Sequence, residues 1–118
     1  MRTVPLRELA RVVRSKNAGP FELTLDVLFG EESLYRRIRE ARVFTAQSIA
    51  ALYGVPIAAV LKVVHYDPAL AVKATLARPL PSGALGESDV YGAQQHAPLL
   101  DMQIPEELVR APDVKRPA

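Results

Sequence analysis

The sequence predicts an α+β domain: a two-layer sandwich with a mostly antiparallel sheet and helices on one face, for which a ferredoxin-like arrangement is the simplest candidate. Three observations carry this. Apolar Phe21, Leu23, Leu25, Val27 and Phe29 alternate with Glu22, Thr24, Asp26 and Leu28, the period of a strand with one apolar face. Helical patterning comes next, from Glu31 to Tyr53. Two further strand patterns, joined at Asp67-Pro68, come after the helices. Residues 1–105 are expected to form one domain, with 106–118 as a C-terminal tail that frays.

Near the N-terminus, Val4–Ser15 fits two templates. Leu6, Leu9, Ala10 and Val13 have helical spacing, and Val4, Leu6, Ala10 and Val12 nearly alternate. A helical turn at Leu6–Ala10 followed by extended chain satisfies both, and helix and strand stay open here. Asn17-Ala18-Gly19-Pro20 marks a turn, and the Phe21–Phe29 strand comes after it. Glu31 and Glu32 open a helix, where carboxylates complement the positive end of its dipole. Its apolar stripe is Leu34, Tyr35, Ile38 and Ala41. A second helix, Ala46–Tyr53, is capped by Thr45 and stopped by Gly54. Pro56 opens one more turn, Ile57–Val60. Leu61–Tyr66 is a strand centred on β-branched Val63 and Val64. Leu70, Val72, Ala74 and Leu76 alternate in another. Val90–Gly92 is expected to be extended, and Leu99–Ile104 to be a last strand with Leu100, Met102 and Ile104 on one face.

Composition excludes more than it selects. The chain has 118 residues and no cysteine, which removes disulfides, Cys-ligated zinc, iron–sulfur clusters and thiol catalysis. Fifteen Lys+Arg against thirteen Asp+Glu give a formal net charge of +2, too little by itself to argue for nucleic acid. MRTVPLREL lacks the continuous apolar stretch of a secretory signal, and no apolar run approaches a membrane span of about 20 residues. A cytoplasmic protein without nucleic-acid or membrane partners is the expectation. Six of the ten prolines (Pro79, Pro81, Pro98, Pro105, Pro112 and Pro117) fall after Arg78, so loops should concentrate there.

Three segments hold chemistry-bearing side chains. Ser15, Lys16 and Asn17 precede a glycine turn that can hold a carboxylate or phosphate through Lys16 and backbone N–H groups. The plainer reading is a polar hairpin connection in which Asn17 serves its own backbone. His65 ends an apolar strand, and Asp67 two residues on would share its face and orient it for proton transfer. Asp before Pro is equally an ordinary turn initiator. The segment Asp89–Pro98 gathers Asp89, Tyr91, Gln94, Gln95 and His96 around Gly92. These are poor core fillers that suit recognition of a polar group or a polar subunit interface. A surface loop bonded to its own backbone is the alternative. His65, Asp67 and His96 are thus the candidate catalytic residues. No helical HxxxH or HExxH spacing is present, so no metal and no cofactor are expected. Arg36, Arg37, Arg39 and Arg42 interleave with Glu31, Glu32 and Glu40, the pattern of a solvated helix with internal ion pairs.

Three blocks carry a family resemblance: LRELARVVRSKNAGPFELTLDVLF (Leu6–Phe29), DPALAVK (Asp67–Lys73) and SDVYGAQQHAPLLDMQIP (Ser88–Pro105). Together they resemble the family catalogued as domain of unknown function 4387, across about Leu6 to Pro105. The resemblance implies no catalytic list. Members of that family resemble small partners of acyclic terpene utilisation protein A-like proteins. The resemblance therefore implies a small accessory or co-catalytic subunit of such a larger protein, acting in catabolism of branched or unsaturated carboxylic acids. Lys16, Asn17, Gln94, Gln95 and His96 would then complete a site at the interface. Two other readings belong to different classes. One is a stand-alone hydro-lyase or isomerase, as a monomer or homo-oligomer, using His65 or His96 for proton transfer and Lys16 for the carboxylate. The other is a purely structural oligomer.

Overall fold

A computed structural model describes residues 2–18, 21–77 and 97–110. Strand β1 (Thr3–Pro5) leads into a 3₁₀ turn at Leu6–Glu8, then β2 (Ala10–Asn17) and β3 (Glu22–Phe29). Helices α1 (Glu32–Glu40) and α2 (Ala46–Tyr53) come next. A 3₁₀ turn at Ile57–Ala59 precedes β4 (Val60–Tyr66), and another at Asp67–Ala69 precedes β5 (Ala71–Ala77). The last elements among the described residues are α3 (Ala97–Leu100), β6 (Gln103–Pro105) and α4 (Glu106–Arg110).

Mixed helices and antiparallel sheets are as expected of the α+β class. The four-stranded sheet runs β2-β3-β5-β4, antiparallel throughout. The ferredoxin-like arrangement is not confirmed. That arrangement alternates β-α-β-β-α-β, whereas here the chain makes a hairpin, two consecutive helices and a second hairpin. The helices connect β3 to β4, which run parallel with β5 between them, so the chain makes one split β-α-β crossover and the second that the ferredoxin-like arrangement requires is absent among the described residues.

The core lies between one sheet face and the helices. Leu23, Leu25, Val27 and Phe29 of β3 and Val72, Ala74 and Leu76 of β5 are buried in one cluster with Leu34, Tyr35 and Ile38 of α1 and Ile49 and Ala50 of α2. Phe21 continues the β3 alternation in sequence but precedes the strand and is 59% exposed. The α2 boundaries obey local chemistry. Ser48 N–H donates to Thr45 Oγ1 at 3.1 Å and Thr45 N–H to Ser48 Oγ at 2.9 Å, a reciprocal cap. Gly54 stops the helix at φ 65°, a left-handed conformation that glycine adopts without strain.

Two expectations at the chain ends change. β1 pairs with β6, Val4 opposite Ile104, forming a second small antiparallel sheet. Leu99–Ile104 is not one strand. Its first part is α3 and its last part β6, because Leu99 and Met102 are buried at helical spacing and only Ile104 is buried from the paired strand. Glu106–Arg110 is helical rather than frayed. Arg37 Nε on α1 donates to the Leu108 carbonyl at 2.6 Å, which ties α4 to α1.

Candidate functional site

Tyr35 and Arg39 lie one turn apart on α1, so their side chains share a face. The β4–β5 connection delivers Asp67 to that face. Tyr35 Oη donates to Asp67 Oδ1 at 2.5 Å, and Arg39 Nη1 donates to Asp67 Oδ2 at 2.5 Å. The carboxylate thus clamps the β4–β5 turn to α1. Leu70 closes the same turn at φ 52°, its N–H bonded to the Asp67 carbonyl at 3.0 Å. Arg39 also sits over the Tyr35 ring, 6.0 Å from its centroid.

His65 is the fourth member. In β4 it pairs with Val72, whose side chain is in the core, so His65 points to the helix side of the sheet. Its ring lies 6.4 Å from that of Tyr35, tilted by 58°. His65 Nε2 is buried without a hydrogen-bond partner. The expectation that Asp67 orients His65 is not what the contacts show. β4 ends at Tyr66 and Asp67 begins a 3₁₀ turn containing Pro68, so the alternation that would align the two side chains stops between them. Both Asp67 oxygens go to α1 instead.

The electrostatics arise from these contacts. The Tyr35 hydroxyl and the Arg39 guanidinium hold the Asp67 carboxyl below its ordinary value, because both stabilise the anion. Burial and the Asp67 carboxylate push the Tyr35 phenol up to about 12. Burial lowers His65, with Arg39 adding repulsion and Asp67 opposing it. Burial thus favours the neutral imidazole, the form able to accept a proton.

Two concavities open to solvent flank Arg39. One, of about 630 Å³, is lined by Glu32, Tyr35, Arg36, Arg39, Asp67 and Leu70, with Pro68. The other, of about 590 Å³, holds His65, Arg39, Arg42, Thr45 and Gln47 among its walls. His65 and Asp67 thus line different hollows, with Arg39 common to both. Guanidinium groups in such a setting can take a carboxylate by paired N–H donors. Among the described residues, no three His, Asp or Glu side chains converge as a metal ion would require.

The remaining sequence candidates fall elsewhere. Ser15, Lys16 and Asn17 are not on the turn. They belong to β2, opposite Leu25, Thr24 and Leu23, because pairing with β3 persists to the last residue before the connection. Ser15 is buried on the helix side, and Lys16 is exposed on the other. Lys16 and His65 are thus on opposite faces and opposite edge strands, and do not share a pocket. Asp89, Tyr91, Gln94, Gln95 and His96 lie outside the described residues, as does Val90–Gly92. Sequence reasoning missed Tyr35 and Arg39, which it placed in an apolar stripe and a solvated basic face. Their four-residue spacing was the available signal. Of the cationic cluster, Arg36 does pair internally, with Glu32 at 2.5 Å.

A family model described as Domain of unknown function (DUF4387) matches residues 6–103. No curated protein and no solved structure matches the chain. No helix among the described residues is long and apolar enough to cross a membrane.

Proposed function

Because the chain belongs to the DUF4387 family, we propose that it is a small accessory or co-catalytic subunit of a larger acyclic terpene utilisation-like protein, acting on branched or unsaturated carboxylic acids. The observation that supports this most is the unfinished character of the Arg39 site. Arg39, Arg42 and His65 offer cations and a base suited to an organic acid, outnumbering the single Glu40 carboxylate in the same hollow, yet that hollow is open to solvent. Enzyme sites that move protons bury most of the substrate and exclude water. A second protein seated over Arg39 supplies that enclosure. In this reading Arg39 and Arg42 hold the carboxylate, while Asp67 and Tyr35 position Arg39.

The test is co-expression with the larger protein, pull-down, and a metabolite screen on the complex. Co-purification, with an organic acid turned over by the complex and lost in Arg39→Ala, is the expected result. A clean failure to associate counts against the subunit role.

One observation favours a second reading, a stand-alone hydro-lyase or isomerase: His65 Nε2 is buried without a hydrogen-bond partner, and the same burial lowers the imidazole toward the neutral form a general base needs. That reading proceeds without Lys16, and predicts turnover by the isolated chain that His65→Gln abolishes.

A further inference from the structure

The sheet face turned away from the helices carries its own ordered side chains. Register places Lys16, Thr24, Thr75 and Lys62 in one row across the four strands, and Arg14, Asp26, Lys73 and Val64 in the next. Tyr66 ends the row beyond. Asp26 is only 6% exposed, and Arg14 Nε donates to it at 3.1 Å, so that carboxylate is neutralised within the face. Lys16, Lys62 and Lys73 are exposed, and none of them makes an ion pair among the described residues. Among the described residues of the four strands, Glu22 is the other acid on this face.

The spacing decides what can meet these ammonium groups. Lys16 and Lys62 stand on the two edge strands, three strand separations apart, or about 14 Å. Lys73 lies between them, displaced by one row of about 7 Å. A single small carboxylate or phosphate cannot bridge such a triangle, whereas an extended anionic surface can. Val64 and Tyr66 are 43% and 60% exposed on the same face. Apolar and aromatic groups beside interleaved charges of both signs fit a protein interface. They fit a nucleic-acid track poorly, since that needs concentrated cations without carboxylates.

We propose that this face docks an acidic protein surface, with Lys16, Lys62 and Lys73 meeting its carboxylates and Val64 and Tyr66 packing against its apolar margin. The proposal rests on the subunit reading and specifies where the larger partner is held and what chemistry it presents. The Arg39 site lies on the other side of the sheet, so the partner held on this face reaches round the edge strand β4, which carries His65 on one side and Val64 and Tyr66 on the other, to cover it.

The experiment measures the affinity of the full chain for the larger acyclic terpene utilisation-like protein by titration calorimetry at low and physiological salt. The triple variant Lys16→Glu/Lys62→Glu/Lys73→Glu is expected to bind about tenfold more weakly or worse, and wild-type affinity is expected to fall with salt. The neutral variant Lys16→Gln/Lys62→Gln/Lys73→Gln avoids placing a new carboxylate opposite Asp26, and is expected to show an intermediate loss with an unchanged circular dichroism spectrum. Wild-type binding that neither triple variant weakens beyond twofold overturns this face while leaving the subunit reading intact. Absence of wild-type binding overturns both. Tighter wild-type binding to a duplex DNA probe, lost in the charge reversal, overturns the protein partner in favour of nucleic acid.

Discussion

Phe29→Ala and Phe21→Ala make a matched pair, because the two rings occupy equivalent positions in one alternating pattern and opposite environments in the fold. Phe29 is 2% exposed and Phe21 59%. Phe29 lies at the end of β3, its ring 6.2 Å from Tyr35 of α1 and 6.4 Å from Phe44 just before α2. Truncation removes buried apolar area and both ring contacts, and leaves a cavity where sheet and helices meet. Such losses amount to about 3–5 kcal/mol. A domain of this size has only about 5–15 kcal/mol of total stability, so the variant should lose a large share of it and unfold at a much lower urea concentration. Phe21→Ala should stay within about 0.5 kcal/mol of wild type. Urea titration followed by far-ultraviolet circular dichroism measures both, with an unchanged slope showing that stability alone has moved. Equal effects at the two positions, or a loss below about 1 kcal/mol for Phe29→Ala, would refute the placement of the helix layer against this end of β3.

Thr45→Ala removes the reciprocal cap of α2 and should lower stability by about 1 kcal/mol in the same titration. Tyr35→Phe deletes the leading cause of the depressed Asp67 carboxyl, so carbon-13 NMR should show that carboxyl rising toward its ordinary value; an unchanged titration would contradict the Tyr35–Asp67 bond. His65 should titrate below the ordinary histidine value, and Arg39→Ala should raise it by removing a neighbouring cation. The folded His65 pKa lies below the unfolded one, so its contribution to stability is complete above about pH 6.5 and declines as pH falls through that value. Asp67 acts in the same direction at lower pH: its contribution is present above the ordinary carboxylate range and is lost as pH falls through the depressed folded value.

The parts of the fold legible in the sequence are those fixed by neighbouring residues. Thr45 and Gly54 bound α2 because a hydroxyl cap and a left-handed glycine act within one turn. The alternation in β3 and β5 marks a sheet with one buried face. Pairing of Thr3–Pro5 with Gln103–Pro105 was not legible, because strands of three residues have no period to detect and their partners lie far apart along the chain. Leu99–Ile104 carries apolar residues at both spacings, and tertiary packing selected helix for its first part. The site shows the same division. His65 and Asp67 stand out in the sequence by residue type, but the direction of the Asp67 carboxylate depends on α1 packing over the β4–β5 turn. Periodicity assigns Tyr35 to a core stripe, and it is buried there. Only the fold reveals that its hydroxyl leaves the core to meet Asp67.

The subunit role itself is tested most directly by co-expressing the chain with the larger acyclic terpene utilisation-like protein and measuring the mass of the eluting species by light scattering. The expected result is one peak containing both chains, at a mass above that of the larger protein alone. Elution of this chain at its own mass, or as a homo-oligomer with the larger protein in a separate peak, would contradict the subunit role.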